Sequence, residues 1–299
     1  MDYRDNEKLW NVIESFKEGE QKPRKGVSFN EKVSTVVRNG FKIFWSYRAW
    51  IALDLIGTAV LVALYFYLSV IVDPDTIEDA GYGASFFTFA LLGIAFQQYT
   101  YSSVETFSHE IRHGQENGTL EAVLTTKTEF PTFLIGIGLL SFIYATYFLI
   151  CAFIVAFIFF DPVITTNVFS LLSVVALTFL TIIAHICIGI ASVGIIVKIK
   201  EGDPLLWLFG WLTMLLGTIY YPLDLLPAYL VPIALMMPIT HALDGIRRCL
   251  SGSETLLSPE VFVDVLALLA FIIIMLPLSI KVFRWGYNEA RKDGTLHAY

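Results

Sequence analysis

Residues 221–240 read YPLDLLPAYLVPIALMMPIT. The stretch is too apolar for a solvated loop and too short to cross a bilayer twice. Pro222, Pro227, Pro232 and Pro238 would break any single helix that crossed once. Non-helical backbone survives at membrane depth only where protein or a water-filled cavity covers it. A re-entrant pair of short helices, at about 222–240, satisfies these constraints. That reading decides how many times the rest of the chain crosses.

The flanking sequence is apolar in long runs. Of 299 residues, 56% are hydrophobic and 16% charged, where soluble domains carry roughly 25% charged residues. Mean hydropathy is +0.66. A helix needs about 20 apolar residues to cross a bilayer core. The expected fold is an all-α polytopic membrane protein with one transmembrane domain, 49–285. Its six spans fall at about 49–72, 84–107, 132–160, 168–197, 205–221 and 261–283. The charged first 48 residues, with no short apolar run near Met1, predict no cleaved signal peptide. Cys151 and Cys187 lie in apolar runs and are expected to pack as small hydrophobes. With Cys249 they make neither metal-ligand spacing nor a disulfide framework.

Charge in the loops sets the orientation. Residues 1–48 carry ten Lys or Arg, whereas the 73–83 loop has none and holds Asp73, Asp75, Glu78 and Asp79. The 108–131 loop has Arg112 and Lys127, and the 198–204 loop has Lys198 and Lys200. The tail has Lys281, Arg284, Arg291 and Lys292, and only Arg247 and Arg248 fall on the other side. Six spans with both termini cytoplasmic leave 18 positive residues inside and two outside, as the positive-inside rule demands. A seventh span would put the basic tail outside.

Ahead of the first span, residues 30–48 carry Val33, Val36, Val37, Phe41, Phe44 and Trp45 at helical spacing, with Lys32, Arg38, Lys42 and Arg48 between them. This suits an amphipathic interfacial helix at the inner leaflet; a surface for a soluble partner is the rival reading. Residues 1–29 read as a cytoplasmic extension with a flexible linker, and 286–299 as a cytoplasmic tail.

Chemistry is sparse. No phosphate-binding GxxxxGK[ST] loop, His-Glu-x-x-His pattern or Gly-x-Ser-x-Gly occurs, so the chain is not expected to be an enzyme. The ionisable residues picked out in the spans are Asp54, Glu105 and His185. His185, nearest mid-span, is either a functional ionisable group or a hydrogen-bonded packing residue. In the second span Gln97, Tyr101 and Glu105 recur every four residues on one helix face. They either line a transport path or make helix–helix hydrogen bonds worth about 0.6–2 kcal/mol.

Between the second and third spans, residues 110–131 read EIRHGQENGTLEAVLTTKTEFP. Asn117 and Gly118 suit an N-cap. Glu121 then falls in the first turn, where a carboxylate favours free backbone N–H groups. Leu120, Val123 and Leu124 make a small apolar face. This is either a capped connector or a rigid knob that docks on another protein.

The stretch ENGTLEAVL resembles the E-x-G-T-L-E-x-L signature of ABC-2 type permeases, the membrane subunits of one class of ATP-binding-cassette exporters. In the same order, Pro222, Leu226, Pro227, Pro238, Ile239, Thr240, Asp244, Arg247 and Gly252 resemble that family's stretch before its last span. The ending ARKDGTL resembles its basic tail. The resemblance covers about residues 30–297. Lys127 departs from it, standing where the family often has Pro, and so does the long 1–29 extension.

The resemblance implies a multi-pass subunit of a prokaryotic cytoplasmic membrane. It would pair with a second permease subunit, as homo- or heterodimer, and with a separate ATPase that holds ATP and Mg; no cofactor binds this chain. No nucleic-acid partner is expected. The 108–131 segment would be the coupling helix, with Glu116, Gly118, Thr119, Leu120 and Glu121 seated in the ATPase, and 198–204 a secondary contact. Pro222, Pro227, Pro238, Asp244 and Arg247 would shape an outer gate, with Asp244 and Arg247 pairing three apart on one helix face. The alternative to an exporter is a non-transporting membrane anchor that recruits an ATPase.

Overall fold

Ser28 starts the first helix with a reciprocal cap: its hydroxyl accepts from the Glu31 amide at 3.3 Å, and its own amide donates to Glu31 Oε2 at 2.9 Å. The computed structural model describes residues 28–72, 82, 85–116, 130–165, 167–199 and 204–292. Among these the regular structure is helical: α1 Phe29–Ser46, α2 Arg48–Ser69, α3 Phe86–Glu116, α4 Phe130–Phe159, α5 Val168–Ile199, α6 Pro204–Leu216, α7 Val231–Ala234, α8 Pro238–Ser251 and α9 Pro259–Lys292. A 3-10 turn, Leu223–Leu225, lies between α6 and α7.

Among the described residues four stretches are long and apolar enough to cross a membrane: Arg48–Ser69, Thr132–Phe159, Val168–Ile199 and Pro259–Ala290. Each expected span contains a helix, but the fifth, 205–221, is helical only to Leu216, and two of the six stand apart from these four. α3 has 31 residues yet carries Gln97, Gln98, Glu105, Glu110 and Arg112 along its C-terminal part. α6 has only 13 residues, about 20 Å at 1.5 Å per residue, short of the roughly 30 Å hydrocarbon core.

α5 is the central post. It packs against α3, α8 and α9, and its buried face includes Leu177, Ala184, Ile188, Val193 and Ile196. α5 and α9 meet without side chains between them: a Cβ on Gly286 would strike the Gly194 backbone, and one on Gly194 would strike Phe283. Glycine permits that approach, and the packing gained outweighs its weak helix propensity. α3 and α4 are joined by small polar groups. Tyr99 Oη lies 2.8 Å from Thr146 Oγ1, and the Ser141 hydroxyl donates to the Ser102 carbonyl at 2.8 Å, the kind of bond that holds helices together where water is scarce.

α1 does form where the amphipathic pattern predicts it. One face packs on α4: Gly40 faces Leu140, Val36 faces Gly136, and Phe44 meets Tyr144 at 4.9 Å between ring centres. Phe41, Ile43 and Trp45 stay exposed. The apolar positions therefore divide between a protein-packed face and an uncovered one.

Candidate functional site

α3 and α6 diverge enough to leave a cavity of about 590 Å³. Gln97, Tyr101 and Glu105 line its α3 wall, as their four-residue spacing requires, with His109 and Arg112 further along the same helix. The opposite wall is α6, contributing Trp207, Phe209, Trp211, Thr213 and Met214. One wall is thus polar and the other aromatic. The Tyr220 hydroxyl, just past the end of α6, donates to Gln97 Oε1 at 3.5 Å, and its ring stacks on Tyr65 of α2.

His185 is not in this wall. It is fully buried, and Nδ1 lies 2.7 Å from the Thr181 carbonyl oxygen. A carbonyl only accepts, so Nδ1 carries the hydrogen. The ring meets Phe209 edge-on at 5.9 Å, and Phe209 separates it from the cavity that Phe209 itself lines.

Beyond α6 the backbone leaves the helix inside the protein, and its carbonyls need donors. Arg247 serves two of them, and a carbonyl of α3 besides. Its guanidinium donates to the Thr218 carbonyl at 2.7 Å, the Ile219 carbonyl at 2.8 Å and the Phe89 carbonyl at 3.2 Å. Thr218 adopts φ 53°, a left-handed conformation that is a genuine outlier for a β-branched residue. The Tyr221 hydroxyl donates to the Leu215 carbonyl, and Thr240 Oγ1 to Leu216 at 3.4 Å. Gly93 makes room for this group: a Cβ there would strike the Ile219 carbonyl and the guanidinium. Burial lowers the Arg247 pKa to about 9, so it remains a cation at neutral pH. A cation beside the carbonyls of an ended helix is favourable, and the Phe89 ring beneath it adds a cation–π contact.

The pair expected between Asp244 and Arg247 does not form. Asp244 Oδ2 accepts from Arg248 Nε at 3.1 Å, and Oδ1 accepts from the Tyr82 hydroxyl. Positions three apart can touch on a helix, but Arg247 points inward to orphaned carbonyls, which outbid a partner that Arg248 already reaches. Burial, then the Asp244 charge and hydrogen bond, raise the Tyr82 pKa.

Pro222 precedes the 3-10 turn in extended conformation, Pro227 accepts from the Leu230 amide at 2.8 Å, and Pro238 opens α8 at its first position. Each proline begins a new local direction, where its missing N–H is harmless.

Glu116 is the last residue of α3, so the polar segment expected from 108 begins as a continuation of that helix. Gly118, Thr119, Leu120 and Glu121 lie outside the described residues.

One ionisable residue was missed in the sixth expected span. Asp264 is 4% exposed on α9, with Oδ1 2.8 Å from His241 Nδ1. A carboxylate inside an otherwise apolar run was its signal.

Neither a scan against protein-family models nor a search of curated proteins finds a match for the chain. Among the described residues no cluster of His, Cys, Asp and Glu has the make-up of a metal site.

Proposed function

We propose that this chain is the permease subunit of an ATP-binding-cassette exporter, driven by a separate ATPase. In this reading it crosses the membrane six times with both termini cytoplasmic. The four long apolar helices are joined as spans by α3 and α6, and residues 222–240 re-enter from the outer face. A second permease subunit completes the pathway, and the 108–131 segment carries the ATPase contact.

The observation that carries the reading is the cavity between α3 and α6. The three polar residues that the sequence sets on one helix face, Gln97, Tyr101 and Glu105, all line it. Its volume of about 590 Å³ falls within the roughly 300–1,000 Å³ of small-molecule sites. A polar wall facing an aromatic one suits a solute with both characters. The helix that provides the polar wall runs directly toward the connector, so displacement of the connector would reshape the cavity. α6, held at its broken end by Arg247 rather than by a further turn, supplies the other wall.

The test is reconstitution of the chain with its ATPase in sealed vesicles and a panel of labelled amphipathic solutes. ATP-dependent accumulation of one of them, lost in a Gln97→Leu, Tyr101→Ala double variant, supports export. ATP hydrolysis that moves none of them identifies a membrane anchor instead. No association with any ATPase in the native membrane overturns both.

A further inference from the structure

Asp264 lies within the stretch of α9 that is apolar enough to cross a membrane, where an acid needs a named partner. Its partner is the His241 ring, with Nδ1 2.8 Å from Asp264 Oδ1. The other ring nitrogen, Nε2, lies 3.0 Å from the Leu235 carbonyl oxygen. A carbonyl can only accept, so Nε2 carries a hydrogen. A second hydrogen must lie between Nδ1 and Oδ1, or a ring lone pair would face a carboxylate oxygen. Neutral imidazole has a single N–H. The pair therefore holds one proton more than a neutral ring beside a carboxylate, whichever of the two atoms carries it.

We propose that His241 and Asp264 form a binding site for a single proton, and that the bound proton fastens the α7–α8 joint to α9. With the proton in place, His241 ties the carbonyl just past α7 to an acid on α9. When the proton leaves for water, the ring keeps one hydrogen and can satisfy either Leu235 or Asp264, not both. One of the two attachments then turns repulsive and the joint loosens. The inference stands on these contacts alone and is independent of the exporter reading.

The surroundings favour a held proton. From α8 itself, Asp244 adds negative charge, shared with Arg248 and the Tyr82 hydroxyl. Arg247 is turned away onto backbone carbonyls, and Cys249 is buried. In the loop before α9, Glu254 lies 4.0 Å from Arg248. From α5 the uncharged Leu177 packs against Gly245, which Asp264 Oδ2 also approaches, and the Ser173 hydroxyl accepts from the Leu256 amide. Among the described residues no donor reaches Asp264 Oδ2, so a fully charged carboxylate is poorly served. Burial opposes charge on His241, but its bonds to Asp264 and Leu235 and the charges of Asp264 and Asp244 outweigh it, and its pKa is raised. A raised value in the folded protein means the site is full below the ordinary histidine range and empties as pH rises through the raised value.

The experiment uses the full-length protein in nanodiscs with isotope-labelled histidine. The chain has five histidines, and His241→Gln assigns one set of ring resonances. The expected result is a single titration step for His241 above the ordinary value of about 6.5, with the thermal midpoint falling over the same pH range. In Asp264→Asn the step moves to lower pH, and in His241→Gln that fall in the midpoint disappears. His241 resonances that titrate at or below the ordinary value, or stay unchanged from about pH 5 to about pH 9, overturn the proposal. So do parallel midpoint profiles for wild type and His241→Gln. Should His241→Gln not fold, the wild-type and Asp264→Asn spectra decide: a ring titrating above the ordinary range that Asp264→Asn shifts down supports the proposal, and the absence of such a ring overturns it.

Discussion

The Arg247 guanidinium lies 3.4 Å above the centre of the Phe89 ring and donates to the carbonyl of that same residue at 3.2 Å. One residue of α3 thus serves the arginine twice, through its ring and its backbone. The arginine in turn completes the hydrogen bonding of a chain segment that belongs to neither helix.

Removing Arg247 leaves two or three buried carbonyls without donors, at about 1–3 kcal/mol each. Arg247→Ala is expected to lower the thermal midpoint sharply. Arg247→Lys is expected to recover only part, because an ammonium is a point donor and cannot span carbonyls from two segments as a planar fork does. Unfolding in detergent checks this, and equal midpoints for the Lys variant and the wild type would refute it.

The crossing of α5 and α9 predicts opposite outcomes for two glycine substitutions. Gly286→Ala places a methyl group against the Gly194 backbone and is expected to cost about 1–3 kcal/mol, as overpacking does. Gly57→Ala, on α2, meets nothing and is expected to be neutral or to stabilise by up to about 1 kcal/mol. Comparing the two unfolding midpoints at fixed detergent separates them.

Tyr101 is half-exposed into the cavity, while Cys151, Cys187 and Cys249 are all buried. A Tyr101→Cys variant should therefore react with a maleimide far faster than the wild type does. If the cavity is the transport path, the attached group should also slow ATP-driven solute movement. Fast labelling with undiminished movement would place the path elsewhere.

For the connector, Glu121→Arg reverses a charge expected in the first turn of the ATPase contact. The expected result is less ATPase recovered with the purified chain and slower ATP turnover. Unchanged recovery and turnover would remove Glu121 from that contact.

The helices were legible because composition and length decide them. Runs such as the one beginning at Val168 can be satisfied in no other way in an apolar medium, and the four-residue spacing of Gln97, Tyr101 and Glu105 could only put them on one face. The direction of Arg247 was not legible. Spacing offered Asp244, three residues back, and the competing acceptors, the Thr218 and Ile219 carbonyls, exist only because α6 ends where it does. Depth left His185 open as a functional group or a hydrogen-bonded packing residue, and only the fold shows its ring bonded to the Thr181 carbonyl and packed edge-on against Phe209. His241 sits outside the apolar runs, and only the fold brings Asp264 to its ring. The double apolar stripe of α1 was visible as amphipathicity, but that one half of it is filled by α4 required the positions of Gly40 and Gly136.

The carbonyls of Thr218 and Ile219 are met by a side chain 29 and 28 positions further along the chain, respectively. The end of α6 therefore cannot be completed by local folding: its hydrogen bonds close only when α8 packs back and brings the guanidinium to them.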